Sequence, residues 1–413
     1  MQKLHNRNKS ARAYTSRGLL LVLQLFSLVP LSACSVAQTQ LEQSMPAHHT
    51  ESGFRNLHIE PREVSFFTFL RMRYFGDQEW ADYQATADRV ERVATALDKI
   101  EAPGAAPQVT WIGHATALIQ YQGINVLTDP MFSERASPLS FIGPKRAAPP
   151  SLSIDQLPPI DFVLISHNHY DHLDADSVKS LGNRTTWLVP LGYKQWFADQ
   201  GVTKVIEFDW WDKHSIAAAT VIATPSQHWT GRSLNDRNTA LWASWSVQIG
   251  EFKFWFAGDT GYNNKQFKQI GDRYGPFDLA LIPVGGYEPR WFMQDMHINP
   301  EEAVQLHNDI RSKYSIGIHW GAFPLTAEPI DQPPARLRQA AKALTDSTFV
   351  IYPQGKCHSI QQIPTKRLND TGMTLGGAIA SPSQDLNCPM ATLISANDGG
   401  NETPCKSDLF RTL

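Results

Sequence analysis

The sequence predicts a layered α/β protein built on two packed β-sheets. Two observations carry that prediction. From about residue 109 to 358, short runs rich in Val, Ile, Thr and aromatics recur, which is the pattern of strands. Helical stretches are interspersed among them, and there is no glycine-rich nucleotide loop. The composition suits such a fold. The 413 residues are 42% apolar and 19% charged, which excludes a fully disordered chain. Twelve Trp and twenty Phe suit a large core, an apolar pocket or contact with lipid.

The chain opens with an address. Residues 1–17 carry Lys3, Arg7, Lys9, Arg12 and Arg17 and no acid. The apolar run 18–33 falls short of the roughly 20 residues that span a bilayer, and Gln24 and Pro30 interrupt it. This is the layout of an export signal. Leu31-Ser32-Ala33-Cys34 resembles a bacterial lipobox, which makes Cys34 the lipid-bearing first residue of the mature chain. The expected location is the cell envelope, on the periplasmic face of the outer membrane. Lys+Arg 37 against Asp+Glu 40 gives a net charge of −3. Losing the five basic residues of 1–33 takes it to −8. That balance argues against nucleic-acid binding by general charge attraction. Membrane attachment would rest on acyl chains.

Residues 34–60 are polar and unpatterned and read as a tether. The run 66–75 (FFTFLRMRYF) offers an apolar lip or a membrane-facing surface, and a helical pattern comes next over 79–100. Strands are expected at 108–112, 116–121, 124–128, 161–166, 186–189, 204–208, 214–223, 239–249, 252–257, 278–283, 315–318 and 348–352. Helices are expected at 175–180, 192–199, 300–312 and 333–344. Asn299 can cap the third of these, with Pro300 in its first turn and Glu301 and Glu302 at its positive end. One domain over 61–362 precedes a loosely ordered extension, 363–413. Four Cys exclude a disulfide scaffold. Cys388 and Cys405 can bridge in an oxidising compartment, and Cys357 reads as buried or free.

The chemistry concentrates in Ser166-His167-Asn168-His169-Tyr170-Asp171-His172-Leu173-Asp174, directly after the apolar run 162–165. Extended backbone would put residues 167, 169 and 171 on one side and His172 on another, so one loop could serve two metals. Imidazoles and carboxylates suit borderline cations such as Zn²⁺. His228, Asp259 and His319 each end another apolar run, which raises the set to seven candidate ligands.

The order HxHxDH, then His, Asp and His, resembles the metallo-β-lactamase superfamily, as do Gly113-His114-Ala115-Thr116 and Leu127-Thr128-Asp129-Pro130. Within it, longer stretches resemble the N-acylphosphatidylethanolamine-hydrolysing phospholipase D family. They are 227–229 (QHW), 238–245 (NTALWASW), 257–262 (AGDTGY), 275–278 (GPFD), 287–293 (YEPRWFM), His297, 299–304 (NPEEAV) and 318–323 (IHWGAF). The resemblance covers about 61–360. It implies an αββα four-layer sandwich and two Zn²⁺ per chain. His167, His169 and His228 would hold one ion, Asp171, His172 and His319 the other, and Asp259 would bridge them. It implies hydrolysis of N-acylphosphatidylethanolamine, a membrane phospholipid, to phosphatidic acid and an N-acylethanolamine. The attacking hydroxide would be held by the paired cations.

Asp171, Asp259 and His297 are the catalytic candidates. Tyr170, Tyr287, Arg290, Trp291 and His297 are the substrate-contact candidates. Asp129 and Asp174 could orient ligand imidazoles, and His114 could line the site. A homodimer is also implied. Two other readings stand beside this one: a lactonase or phosphodiesterase for a soluble substrate, and an anchored binding protein with structural zinc. No G-x-S-x-G supports a serine hydrolase. The animal enzymes are not exported lipoproteins, so anchor, tether and tail lie outside the resemblance.

Overall fold

The computed structural model describes residues 45–60, 66–76 and 79–360. Cys34, the expected export signal, Cys388, Cys405 and the expected C-terminal extension lie outside the described residues. All described residues belong to one unit of the chain, which ends at Gln362.

Strands β1 (His49–Thr50) and β2 (Gly53–Phe54) form a small hairpin. The first large sheet contains β3 (Gln108–Gly113), β4 (Thr116–Tyr121), β5 (Ile124–Thr128), β6 (Phe162–Leu164), β7 (Thr186–Pro190), β8 (Val205–Phe208) and, from the far end of the chain, β16 (Cys357–Ser359). The second contains β9 (Lys213–Ile216), β10 (Ala219–Thr224), β11 (Ser244–Ile249), β12 (Phe252–Phe256), β13 (Leu279–Pro283), β14 (Tyr314–Ile318) and β15 (Thr348–Val350). The orders are β16-β3-β4-β5-β6-β7-β8 and β15-β14-β13-β12-β11-β10-β9. Both sheets share one plan. Pairing is antiparallel from β16 to β5 and from β9 to β12, then parallel from β5 to β8 and from β12 to β15.

The period-2 alternation of strands sorts the apolar residues into layers. Val109, Trp111, Ala117, Ile119, Phe162 and Leu164 share a core with Val221, Ala223, Trp245, Val247, Phe254 and Phe256 of the facing sheet. Their neighbours Ile112, Leu118, Val163, Ile165 and Trp187 point the other way. They pack on Val178, Leu181 and Phe197 of helices Ala175–Leu181 and Lys194–Asp199. On the second sheet, Trp255, Ala280 and Ile282 are buried with Phe267, Ile270, Leu306 and Leu337, from helices Gln266–Tyr274, Pro300–Asp309 and Gln332–Ala340. Two mixed sheets flanked by helices result. Each large apolar side chain buried this way contributes about 1.5–3 kcal/mol.

Several stretches depart from expectation. The helix expected over 79–100 is reduced to a 3-10 turn at Ala87–Arg89 and a short helix at Leu97–Glu101. Asp82 is the reason: its carboxylate accepts from the N–H groups of Gln84 and Ala85, and its carbonyl accepts from the Thr86 hydroxyl. The aromatic run instead forms helix Phe66–Phe75. The expected tether is folded from residue 45, where Phe54 N–H donates to the Asn238 carbonyl and His48 and His49 meet Asp209. A turn with Ala217 at φ 50° splits 214–223 into β9 and β10. Residues 239–243 leave the ladder, because Leu241 and Ala243 N–H groups bond across to Leu191 and Ser166.

Candidate metal centre

The site sits where strands of both sheets end. His114 comes after β3, the 166–174 loop after β6, His228 after β10, Asp259 after β12 and His319 after β14. Trp245 fixes the loop's entry, since its indole N–H donates to the Ile165 carbonyl at 3.0 Å. Gly258 lets Asp259 approach: at φ +60°, a Cβ there would lie 2.3 Å from the Ser166 Cβ. His114, Asp129 and His319 have φ of 54°, 28° and 61°. Such left-handed backbone is uncommon outside glycine, and here it clusters around one site.

The structure brings all seven candidate ligands together, but not as extended backbone would. Leu173 and His172 N–H groups bond back to the His169 carbonyl, so the chain turns there. His167 and His169 therefore face His228, while Asp171 falls with His172, His319 and His114. Zinc ligands at 2.0–2.1 Å in a tetrahedron stand about 3.3 Å apart. Asp171 Oδ2 lies 3.3 Å from His172 Nε2 and 3.4 Å from His319 Nε2. Asp259 Oδ2 lies 3.2 Å and 3.1 Å from the same two nitrogens. His228 Nε2 and His169 Nδ1 are 3.3 Å apart, and Asp259 Oδ2 is 3.9 Å from both His167 Nε2 and His228 Nε2. These spacings suit two adjacent cations that share Asp259.

Neighbouring groups select the tautomers. Asp129 accepts from Ser166 N–H (2.7 Å), the Ser166 hydroxyl (2.5 Å) and His172 Nδ1–H (2.6 Å). The Ser166 hydroxyl proton is thereby committed, so His167 Nδ1 must donate to that oxygen, at 2.8 Å. His228 Nδ1–H donates to the Met296 carbonyl at 2.9 Å. In the neutral form, each of these three rings turns an Nε2 lone pair inward. His167 Nε2, His172 Nε2, both nitrogens of His319 and Asp259 Oδ1 are buried without a hydrogen-bond partner in the described structure. Buried polar atoms are rarely left so, and this donor set fits a cation.

The electrostatics agree. Burial pushes the His167, His169 and His228 pKa values down, the last two to about 3, which leaves them as neutral ligand-ready imidazoles. Against the same burial, the Asp259 and Asp171 carboxylates raise His172 and take His319 up to about 9. Two carboxylates thus draw positive charge into a water-poor site, and a bound cation would supply that charge in place of the protons.

The other candidates separate clearly. His297 lines the cavity over the cluster, its Nδ1 3.9 Å from Asp259 Oδ2. His114 Nε2 meets Asp171 Oδ2 at 2.9 Å. Asp174 does not reach the imidazoles. It caps helix Ala175–Leu181 and accepts from Ser133 and Ser177 hydroxyls. Arg290 does not face the cavity either: its guanidinium holds both Glu302 oxygens at 2.9 Å and donates to the His297 carbonyl. Arg290 therefore positions His297. Tyr287 is fully buried and donates its hydroxyl to Gln332. Trp291 is 49% exposed and outside the cavity lining. Tyr170 lines a separate cavity of about 760 Å³ and donates to the Arg232 carbonyl.

Sequence reasoning gave no role to Ser166, Met296 or Glu328. Glu328 is buried and accepts from Gly286 and Glu288 N–H groups, which sets the loop beside His297. Gly286 is at φ +87°, and a Cβ there would lie 3.0 Å from His297 Nδ1.

Fold and donor set define a metal-dependent hydrolase of the metallo-β-lactamase superfamily, and residues 124–320 match the beta-lactamase superfamily domain. Over 264 residues the chain is 45% identical to N-acyl-phosphatidylethanolamine-hydrolyzing phospholipase D 1 of Caenorhabditis elegans, across 60% of this chain and 74% of that protein. It is 35% identical over 258 residues to the mitochondrial N-acyl-phosphatidylethanolamine-hydrolyzing phospholipase D of Saccharomyces cerevisiae, across 60% of this chain and 55% of that one. The chain belongs to the N-acylphosphatidylethanolamine-hydrolysing phospholipase D family. A possible metal-dependent hydrolase from Veillonella parvula shares the fold, with TM-score 0.51 and 17% identity over 62% of this chain and 100% of that one.

Proposed function

We propose that the chain is a phospholipase D-type phosphodiesterase that hydrolyses N-acylphosphatidylethanolamine to phosphatidic acid and an N-acylethanolamine, with two zinc ions as cofactors. One observation carries this reading. A cavity of about 510 Å³ has His169, Asp171, Asp259, His297 and His319 in its lining, and Met72, Phe292, Met293, Met296 and Leu325 beside them. A polar reaction centre next to flexible apolar side chains suits an amphiphile, with its phosphodiester at the donors and its chains on the methionines.

His167, His169 and His228 would hold one ion, Asp171, His172 and His319 the other, with Asp259 shared. When bound, paired cations supply Lewis acidity and make a water acidic enough to attack near neutral pH. The water's oxygen joins phosphorus, the bond from phosphorus to the ethanolamine oxygen breaks, and a water proton ends on that oxygen. Asp129, Ser166 and the Met296 carbonyl hold the imidazoles in one tautomer. His297, kept neutral because burial takes its pKa down to about 3, can donate a ring N–H to a non-bridging phosphoryl oxygen. Arg290 and Glu302 hold its backbone in place. The lining of apolar groups excludes bulk water from the phosphoryl group.

Among the described residues, no helix is long and apolar enough to cross a membrane. Membrane contact in this reading rests on acylated Cys34, aided by Phe67, Tyr74 and Phe75, which are 79%, 68% and 81% exposed. The test is direct. Zinc-restored protein with N-acylphosphatidylethanolamine in mixed micelles should release phosphatidic acid and N-acylethanolamine, read by mass spectrometry. No release, or faster turnover of a lactone or a soluble phosphodiester, overturns the reading.

A further inference from the structure

We propose that Arg237, held on the face of Trp229, reads a carboxylate on the N-acylated headgroup. The preferred lipid would then carry a second negative charge beside the scissile phosphodiester. The proposal rests on the reading above, that this cavity takes an N-acylated phospholipid.

Among the described residues that line the cavity, Arg237 is the sole lysine or arginine. Its guanidinium carbon lies 4.3 Å from the Trp229 ring centroid, and the same indole meets the His169 ring edge-on at 4.2 Å. The cation therefore stands one aromatic ring away from the donor cluster. Its nearest acid in sequence, Asp236, is turned back on its own loop and accepts from Arg232 and Ser233 N–H groups. The ion pairs of arginine and lysine among the described residues involve other side chains. Arg237 is thus a guanidinium fork in the cavity lining, steadied by an aromatic face and outside those ion pairs, with Asp295 elsewhere in the same lining.

A planar fork of N–H donors matches a carboxylate in bidentate geometry, and stacking on indole reduces the freedom lost on pairing. The reacting phosphodiester has its own binding groups at the donor cluster. An N-acylated ethanolamine headgroup carries no further charge, because acylation removes that of the amine. An N-acylated serine headgroup does: its carboxylate sits on the carbon that bears the acylated nitrogen, close to the phosphate. The second anion and the second binding group then coincide.

The experiment is calorimetric. Full-length zinc-loaded protein is titrated with two non-hydrolysable phosphonate headgroup analogues, one N-acetylserine and one N-acetylethanolamine. The serine analogue should bind about tenfold tighter, the scale of one charge-assisted pair. Arg237→Ala should abolish that preference. Arg237→Lys should keep part of it, since charge survives and the fork does not. Equal or undetectable binding of both analogues by the wild type overturns the proposal, as does a preference that survives Arg237→Ala. Turnover of N-acylphosphatidylethanolamine, measured in parallel, judges the reading of function separately.

Discussion

Two regions of this molecule bring histidines to a carboxylate, and they are built differently. At the strand ends, imidazole nitrogens stand 3.1–3.9 Å from Asp259 Oδ2, and several have no hydrogen-bond partner. At the N-terminal hairpin, His48 and His49 Nε2 stand 2.6 and 2.7 Å from the two oxygens of Asp209. There the His48 ring stacks on Trp210 at 4.3 Å. The first spacing is that of atoms sharing a cation. The second is that of direct hydrogen bonds, with the proton already between the partners. A His-His-Asp composition therefore marks a metal site only where lone pairs are left unspent.

The largest expected effect comes from breaking the first region. Asp259→Asn should lower the proposed phosphodiesterase activity beyond the hundred- to thousandfold cost of losing one electrostatic stabiliser, and plasma emission should find less metal per chain than in the wild type. Asp129→Asn leaves every proposed ligand in place and disturbs only the partner of His172 and Ser166. A 10–100-fold loss in zinc affinity, measured by chelator competition, is expected. An unchanged affinity would put the tautomer control elsewhere.

The second region should respond the other way. His48→Ala with His49→Ala should leave zinc content unchanged and cost about 3 kcal/mol of stability, the worth of two hydrogen bonds to a charged group. Loss of one zinc equivalent would erase the contrast. A smaller effect sharpens it. His307 is buried, with Nδ1 2.7 Å from the Ser315 hydroxyl and Nε2 2.8 Å from that of Ser347. Burial takes its pKa down to about 4. The folded value lies below the unfolded 6.5, so its stability contribution is full above pH 6.5 and falls toward pH 4. Each unit of that range costs about 1.4 kcal/mol. His307→Gln should flatten that part of the pH–stability curve in denaturant titrations.

The legibility of the sequence divides along the same line. His228, Asp259 and His319 were readable because an apolar run stops at each, and a layered fold displays the residue just past a strand's end. Asp174 was not, because a local cap uses the same carboxylate that could have reached a metal ligand. Arg290 was ambiguous until its partner was known, and Glu302 lies on a helix whose packing no local pattern reveals. Tyr287 and Tyr170 belonged to the right segments, yet which cavity a ring enters depends on turns set by tertiary hydrogen bonds. Helix Gln266–Tyr274 and strand β16 escaped notice, and His48 and His49 looked like linker until Asp209 was placed beside them.

The shared plan of the two large sheets has a mechanical consequence. β3 and β10 hold equivalent places and end near His114 and His228, and the switch strands β5 and β12 end near Asp129 and Asp259. The half-molecule that begins at β3 brings His167, His169, Asp171 and His172 to the seam; the other brings His228, Asp259 and His319. Ions seated there would rivet two like halves, so stripping them should loosen the joint between the sheets before it unravels either one.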